Sequence, residues 1–152
     1  MATRADTEPL TDTGVAAWKG FLRAHARLTR GLDEELRASH GFTLGDLDVL
    51  IQLDEAPGDR LRMCDLAAAV VLSPSGLSRR VERLEHAGLV TRERAEHDAR
   101  SVEARLSPAG RRLLLRLRTA HRNGVRERFA DRFGPDELET LAEFMGRLSD
   151  DS

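Results

Sequence analysis

Cysteine is almost missing from this chain: Cys64 is alone among 152 residues. One thiol excludes an internal disulfide and leaves too few sulfur ligands for a thiolate metal site. Met63 and Asp65 beside it do nothing to stabilise a thiolate, so redox sensing is not expected. The five histidines, His25, His40, His86, His97 and His121, lack ligand spacing, and no metal is expected. No apolar run approaches the roughly 18 residues needed to span a bilayer. The opening MATRADTEPLTDTG has no apolar core of the secretory kind, so a cytoplasmic location without membrane contact is expected. There is no glycine-rich phosphate loop, nucleophile motif or paired-carboxylate constellation. The expectation is therefore a non-enzyme without a cofactor. Lysine is scarce too: Lys19 is the one lysine among 24 basic residues.

A basic excess is also lacking, since the net charge is −2. Any attraction to phosphate must come from local placement. Residues 73–105 hold seven arginines against six acids, a net of +1, while the remainder carries −3. The contrast is small but lies in the stretch that carries the other signals.

What is present is helical periodicity. Residues 1–11 are polar and expected to be a disordered tail. Val15, Trp18, Leu22, His25, Thr29, Leu32 and Leu36 step by three and four, with Phe21 and Leu28 as a second stripe. A helix apolar on more than one face is covered on more than one side. Gly41 ends it. Thr43 and Asp46 read as a cap opening a helix through Leu47, Leu50 and Leu53. Residues 56–59 read as a loop and Arg60–Arg62 as a short strand that pairs with a later hairpin. Cys64–Val71 is a short helix. Ser73 is the next N-cap, with Pro74 at the first helical position and Leu77, Val81 and Leu84 inward. Gly88 ends that helix. Leu89–Arg94 and Ser101–Leu106 alternate as paired strands, with Ala95–Arg100 as the loop. Ser107-Pro108 opens a long helix to about Phe133, with Gly124 inside it marking a bend or close packing. A final helix after Gly134-Pro135 turns Leu138, Leu141, Phe144, Met145 and Leu148 inward.

Two short helices followed by a β-hairpin form the plan of a winged helix-turn-helix. The order of residues resembles the MarR family of bacterial regulators. The resemblance rests on Ser73-Pro74-Ser75, Arg79, Arg83-Leu84-Glu85, Gly88-Leu89-Val90, Asp98-Ala99-Arg100 and Leu106-Ser107-Pro108-Ala109-Gly110. The last two groups together are the most specific. The expected fold is mainly α with a small β-hairpin wing: a winged helix-turn-helix at 41–106, and dimerisation helices at 12–40 and 107–150.

Ser73, Ser75, Gly76, Ser78, Arg79 and Arg83 form the polar face of the second helix and are expected to meet DNA. Small residues let the backbone approach the groove, and arginine suits guanine edges or phosphate. On the wing, Arg94, His97 and Arg100 are expected in or near the minor groove. Asp98 repels phosphate, so it is expected to orient an arginine, with Arg92, Arg94 and Arg100 as candidates. The resemblance implies this division of labour for the Asp-x-Arg pair.

Arg80 borders the apolar stripe, and Asp48 lies on a mostly apolar helix. A urate-responsive branch of the family has an acid and two arginines at the positions of Asp48, Arg80 and Arg92. Its tryptophan sits at a position that Trp18 does not match. Two readings stand: a structural Asp48–Arg80 ion pair, or an effector site formed by Trp18, His25, Asp48 and Arg80. The leading function is a homodimeric repressor released from a palindromic double-stranded operator by a small anionic or aromatic effector. The alternative is a winged-helix module that binds protein and not DNA.

Overall fold

The computed structural model describes residues 9–70 and 74–149. Helix α1 (Asp12–His40) begins where the Thr11 hydroxyl accepts the Gly14 N–H at 3.1 Å. Thr11 is therefore a cap and not part of a disordered tail. The helix ends at Gly41, whose φ of 75° is the left-handed value that favours glycine. Helix α2 (Leu44–Glu55) opens with a full capping box. Thr43 Oγ1 accepts the Asp46 N–H at 3.0 Å, and Asp46 Oδ2 accepts the Thr43 N–H at 2.9 Å. Aspartate thus does the work more often given to glutamate. A 3-10 turn at Pro57–Asp59 leads to strand β1 (Arg60–Arg62), then α3 (Met63–Ala69) and α4 (Pro74–His86). Ser73, the expected cap of α4, lies outside the described residues.

Leu77, Val81 and Leu84 do face inward from α4. They join Leu47, Leu50, Leu53, Leu66, Leu114, Leu117 and Leu36 in one core. Each such side chain contributes about 1.5–3 kcal/mol by leaving water. Gly88 (φ 73°) ends α4 in a Schellman arrangement: the Leu89 N–H reaches Leu84 O, and the Gly88 N–H reaches Glu85 O.

Strands β2 (Val90–Ala95) and β3 (Asp98–Leu106) form the wing, and β1 adds a third antiparallel strand in the order β1-β3-β2. The expected six-residue loop is wrong. Only Glu96 and His97 lie between the strands, and Ala95 pairs with Asp98. The register shifts there, because Arg94 pairs with Val102, so Ala99, Arg100 and Ser101 bulge on β3. Neither turn residue has a positive φ, the backbone form that tight hairpins favour, and the bulge takes up the mismatch.

The start of α5 (Pro108–Arg128) explains the paired Gly-Leu-Val and Leu-Ser-Pro-Ala-Gly motifs. Ser107 Oγ accepts the Gly110 N–H at 3.0 Å and donates to Gly88 O at 2.7 Å. The Ser107 N–H donates to Leu89 O. A Cβ on residue 110 would stand 2.1 Å from Leu89 O, so only glycine fits. The two motifs are the two sides of one contact.

Helix α5 stops at Arg128, short of the expected Phe133. Phe129 leaves helical geometry (φ −123°, ψ −64°), a 3-10 turn spans Ala130–Arg132, and the Phe129 and Phe133 rings meet edge-on at 5.4 Å. At Gly124 a Cβ would come within 2.9 Å of Leu32, so this glycine marks close packing of α5 on α1. Helix α6 (Pro135–Ser149) has no buried residue. Its apolar side chains do not turn into this chain's core: Phe144 and Met145 are exposed, and Leu148 is 72% exposed. Trp18 (56%), Phe21 and Leu22 on α1 are exposed as well. No helix among the described residues is long and apolar enough to cross a membrane.

Candidate nucleic-acid interface

Helix α4 divides its residues between two tasks. Leu77, Val81 and Leu84 anchor it, which leaves Ser75, Arg79, Glu82 and Arg83 exposed, with Gly76 and Ser78 half-buried. Arg79 makes no ion pair with a described residue, so no described acid competes for its guanidinium with an incoming anion. Arg83 is 62% exposed and touches Asp46 only at 3.4 Å.

On the wing, Arg94, His97, Asp98 and Arg100 are all exposed. Neither Arg94 nor Arg100 is ion-paired among the described residues. Asp98 Oδ1 accepts the Arg100 backbone N–H at 3.0 Å. It therefore shapes the bulge that carries Arg100 and does not hold a guanidinium. Arg92 also departs from expectation. Its partner is Glu85 on α4: Nη2 and Nε donate to Glu85 Oε1 at 3.0 and 3.3 Å, and the Arg92 N–H donates to Oε2 at 3.0 Å. The Arg92 side-chain hydrogen bond holds the Glu85 carboxyl below the usual carboxylate range. The effect is to clamp β2 to α4. Glu85 lay in the quoted Arg83-Leu84-Glu85 group but carried no signal of its partner.

The expected Asp48–Arg80 ion pair is not formed. Arg80 Nη1 donates to Asp46 Oδ1 at 2.8 Å and to Thr43 Oγ1 at 2.7 Å. Asp48 is half-buried and unpaired among the described residues. The reason lies in the cap: Asp46 is turned to the start of α2 by its bond to the Thr43 N–H, and that is where Arg80 arrives. Trp18 and His25 are brought together through Phe21, in a stacked ladder with centroids 5.9 and 6.2 Å apart on the exposed face of α1. They share no described contact with Asp48 or Arg80.

A sequence model of the MarR family matches residues 40–101. Among solved structures, AbsC, a MarR family transcriptional regulator from Streptomyces coelicolor, is 36% identical over 94% of this chain and 96% of its own, with a TM-score of 0.81. Sco3205, a MarR family transcriptional regulator from the same organism solved in complex with DNA, is 32% identical over 95% of this chain and 91% of its own, with a TM-score of 0.84. Bordetella bronchiseptica BpsR, whose DNA binding is regulated by 6-hydroxynicotinic acid, shares the fold at 20% identity. That match covers 89% of this chain and 94% of BpsR, with a TM-score of 0.74. A comparison with curated protein sequences finds no match.

Proposed function

The chain belongs to the MarR family of transcriptional regulators, and from that premise we propose that it is a homodimeric repressor that reads a palindromic operator and leaves it when a small anionic or aromatic effector binds. The observation that carries the DNA reading is a group of exposed arginines on α4 and the wing that have no acidic partner among the described residues. Arg79 on α4, Arg94 on β2 and Arg100 on β3 are exposed while most of their neighbours are paired. In a chain of net charge −2, such local placement supplies the attraction to phosphate and the forks that read base edges. Ser73, Ser75, Gly76, Ser78, Arg83 and His97 complete the proposed contact set. Asp98 and Arg92 act behind it, one on the bulge and one on the clamp to α4.

The dimer is supported by the exposed apolar side chains of α1 and α6, Trp18, Phe21, Leu22, Phe144, Met145 and Leu148. A two-fold pair presents two reading helices about one DNA turn apart, matching palindromic half-sites. A monomer by light scattering at micromolar concentration contradicts it.

For the effector, the Trp18–Phe21–His25 ladder offers flat apolar contact to an aromatic ring. BpsR responds to an aromatic acid of this kind. Release by exchange of Arg80 from Asp48 to a ligand has no support, because Arg80 rests on Asp46. The test is a mobility shift with duplexes from the intergenic DNA upstream of the coding sequence. A shift at low salt, reversed by 6-hydroxynicotinic acid or benzoate, is expected. A missing shift at low salt points instead to a module that binds only protein.

A further inference from the structure

We propose that Asp46 and Arg80 are positioning residues for DNA reading: a buried carboxylate at the start of α2 sets the rotation of α4 and so aims Arg79 and Arg83. The inference rests on the reading of α4 as the DNA-reading helix.

Asp46 is 4% exposed, the one buried charged residue in the described core. Its Oδ2 accepts the Thr43 N–H, while its Oδ1 accepts Arg80 Nη1 at 2.8 Å and Arg83 Nη2 at 3.4 Å. Thr43 Oγ1 accepts from the Asp46 N–H and from Arg80 Nη1. One step along, the Leu44 N–H donates to Asp33 Oδ1 of α1 at 2.9 Å. Three helices therefore meet at one capping box. The seat is cut for a guanidinium: a Cβ at Gly45 would stand 2.6–2.8 Å from the Cζ and both Nη atoms of Arg80.

Stability alone gives little reason for this arrangement. The Arg80 side chain is 21% exposed, and its buried Nε has no hydrogen-bond partner. A cation beside a helix N-terminus faces the positive end of the dipole. Replacing a buried ion pair by apolar groups is often neutral or stabilising. What the pair supplies is direction. Leu77, Val81 and Leu84 hold α4 in the core by contacts that carry no direction of their own, whereas two short bonds from Arg80 Nη1 are directional. Arg79 lies one residue, about 100°, around the helix. A turn of about 20° carries a side-chain tip by about 2 Å, given a helix radius of about 5–6 Å with side chains. That is enough to lose a bidentate bond to a base, but not an attraction to phosphate.

The test uses the full chain, a duplex enriched from a random pool by the wild-type protein, and a scrambled duplex of equal composition. The variant is Asp46→Asn with Arg80→Leu, which leaves no buried charge unpaired and keeps an acceptor for the Thr43 N–H. Expected is a loss of about tenfold or more on the enriched duplex, the size of one bidentate contact. Binding to the scrambled duplex, and the salt slope, stay as in wild type. Unchanged discrimination overturns the positioning role. Equal weakening on both duplexes with a salt slope lower by about one also overturns it, since Arg80 would then touch phosphate directly. If the double variant fails to fold, Arg80→Lys decides: its ammonium can hold Asp46 but lacks the plane that lies over Gly45, so discrimination should fall by a smaller factor, and wild-type discrimination overturns the proposal. A wild-type chain that enriches no sequence overturns the DNA reading itself and this inference with it.

Discussion

The winged unit and the helical arms of this molecule use apolar residues in opposite ways. Around α2, α3, α4 and the start of α5, leucines are sealed: Leu50, Leu53, Leu66, Leu77 and Leu117 have no exposure. The arginines beside them are clamped to acids from other elements, Arg80 to Asp46, Arg92 to Glu85 and Arg111 to Asp54. In the first half of α1 and along α6, equally periodic apolar residues remain in solvent. The winged unit buries its apolar side chains within one chain, whereas the arms leave several of theirs exposed. Excess apolar area on helices flanking a self-sufficient unit is the physical ground for the proposed dimer.

Leu50→Ala and Phe144→Asp should have the largest and most different effects. The first should cost about 2–5 kcal/mol, because a cavity opens in a sealed core. The second should leave the unfolding of the winged unit nearly unchanged while shifting the dimer towards monomer. Urea denaturation with sedimentation reads both. Equal losses of stability would erase the distinction between unit and arm.

Gly110→Ala comes next. Its Cβ would meet a backbone carbonyl, which cannot swing aside like a side chain, so a loss of about 1–3 kcal/mol or more is expected. Gly20→Ala on α1, where a Cβ meets nothing within 4 Å, should instead gain about 0.5–1 kcal/mol. Thermal melts of the two variants should move in opposite directions.

Arg100→Ala should weaken operator binding by about 1–3 kcal/mol per subunit without touching stability. Asp98→Ala should weaken it less, although it removes a charge that repels DNA, because the bulge loses the bond to the Arg100 N–H. Tighter binding by the Asp98 variant would leave charge repulsion as the better account.

The smallest effect is the pH dependence of the Glu85–Arg92 clamp. The Glu85 carboxyl is lowered in the folded chain, so its contribution is full above the ordinary carboxylate value of 4.5 and is lost as pH falls through the folded value. For a pair this exposed, the change is about 0.2–1 kcal/mol. Denaturation of wild type and Glu85→Gln from pH 7 down to about 3, below the ordinary carboxylate range, should show the wild type losing that advantage in acid.

Much of this contrast was legible in the residue order. The spacing of Leu77, Val81 and Leu84 and the Ser107-Pro108 start place their helices to within a residue or two. The need of Arg80 for a partner was legible too, since a cation bordering an apolar stripe cannot stay alone. The identity of the partner was not. Asp46 and Asp48 are two residues apart on one helix, about 200° of rotation, and only the capping bond to Thr43 decides which faces α4. The same limit explains α6. A period of 3.6 residues reveals an apolar face but not what covers it, so Leu138–Leu148 read as core, whereas Phe144, Met145 and Leu148 are exposed and Leu138 and Leu141 only half-buried. The wing turn failed for a third reason: the bulge at Ala99–Ser101 depends on pairing across strands, which no local composition records.

In the proposed dimer, two copies of α4 and the wing read DNA as a symmetric pair. Selection of random-sequence duplexes by the full chain, followed by sequencing, tests it most directly. A symmetric pair should enrich an inverted repeat whose half-sites lie about 10–10.5 base pairs apart, centre to centre. Enrichment of no sequence, or of a single half-site without its mirror image, would contradict it.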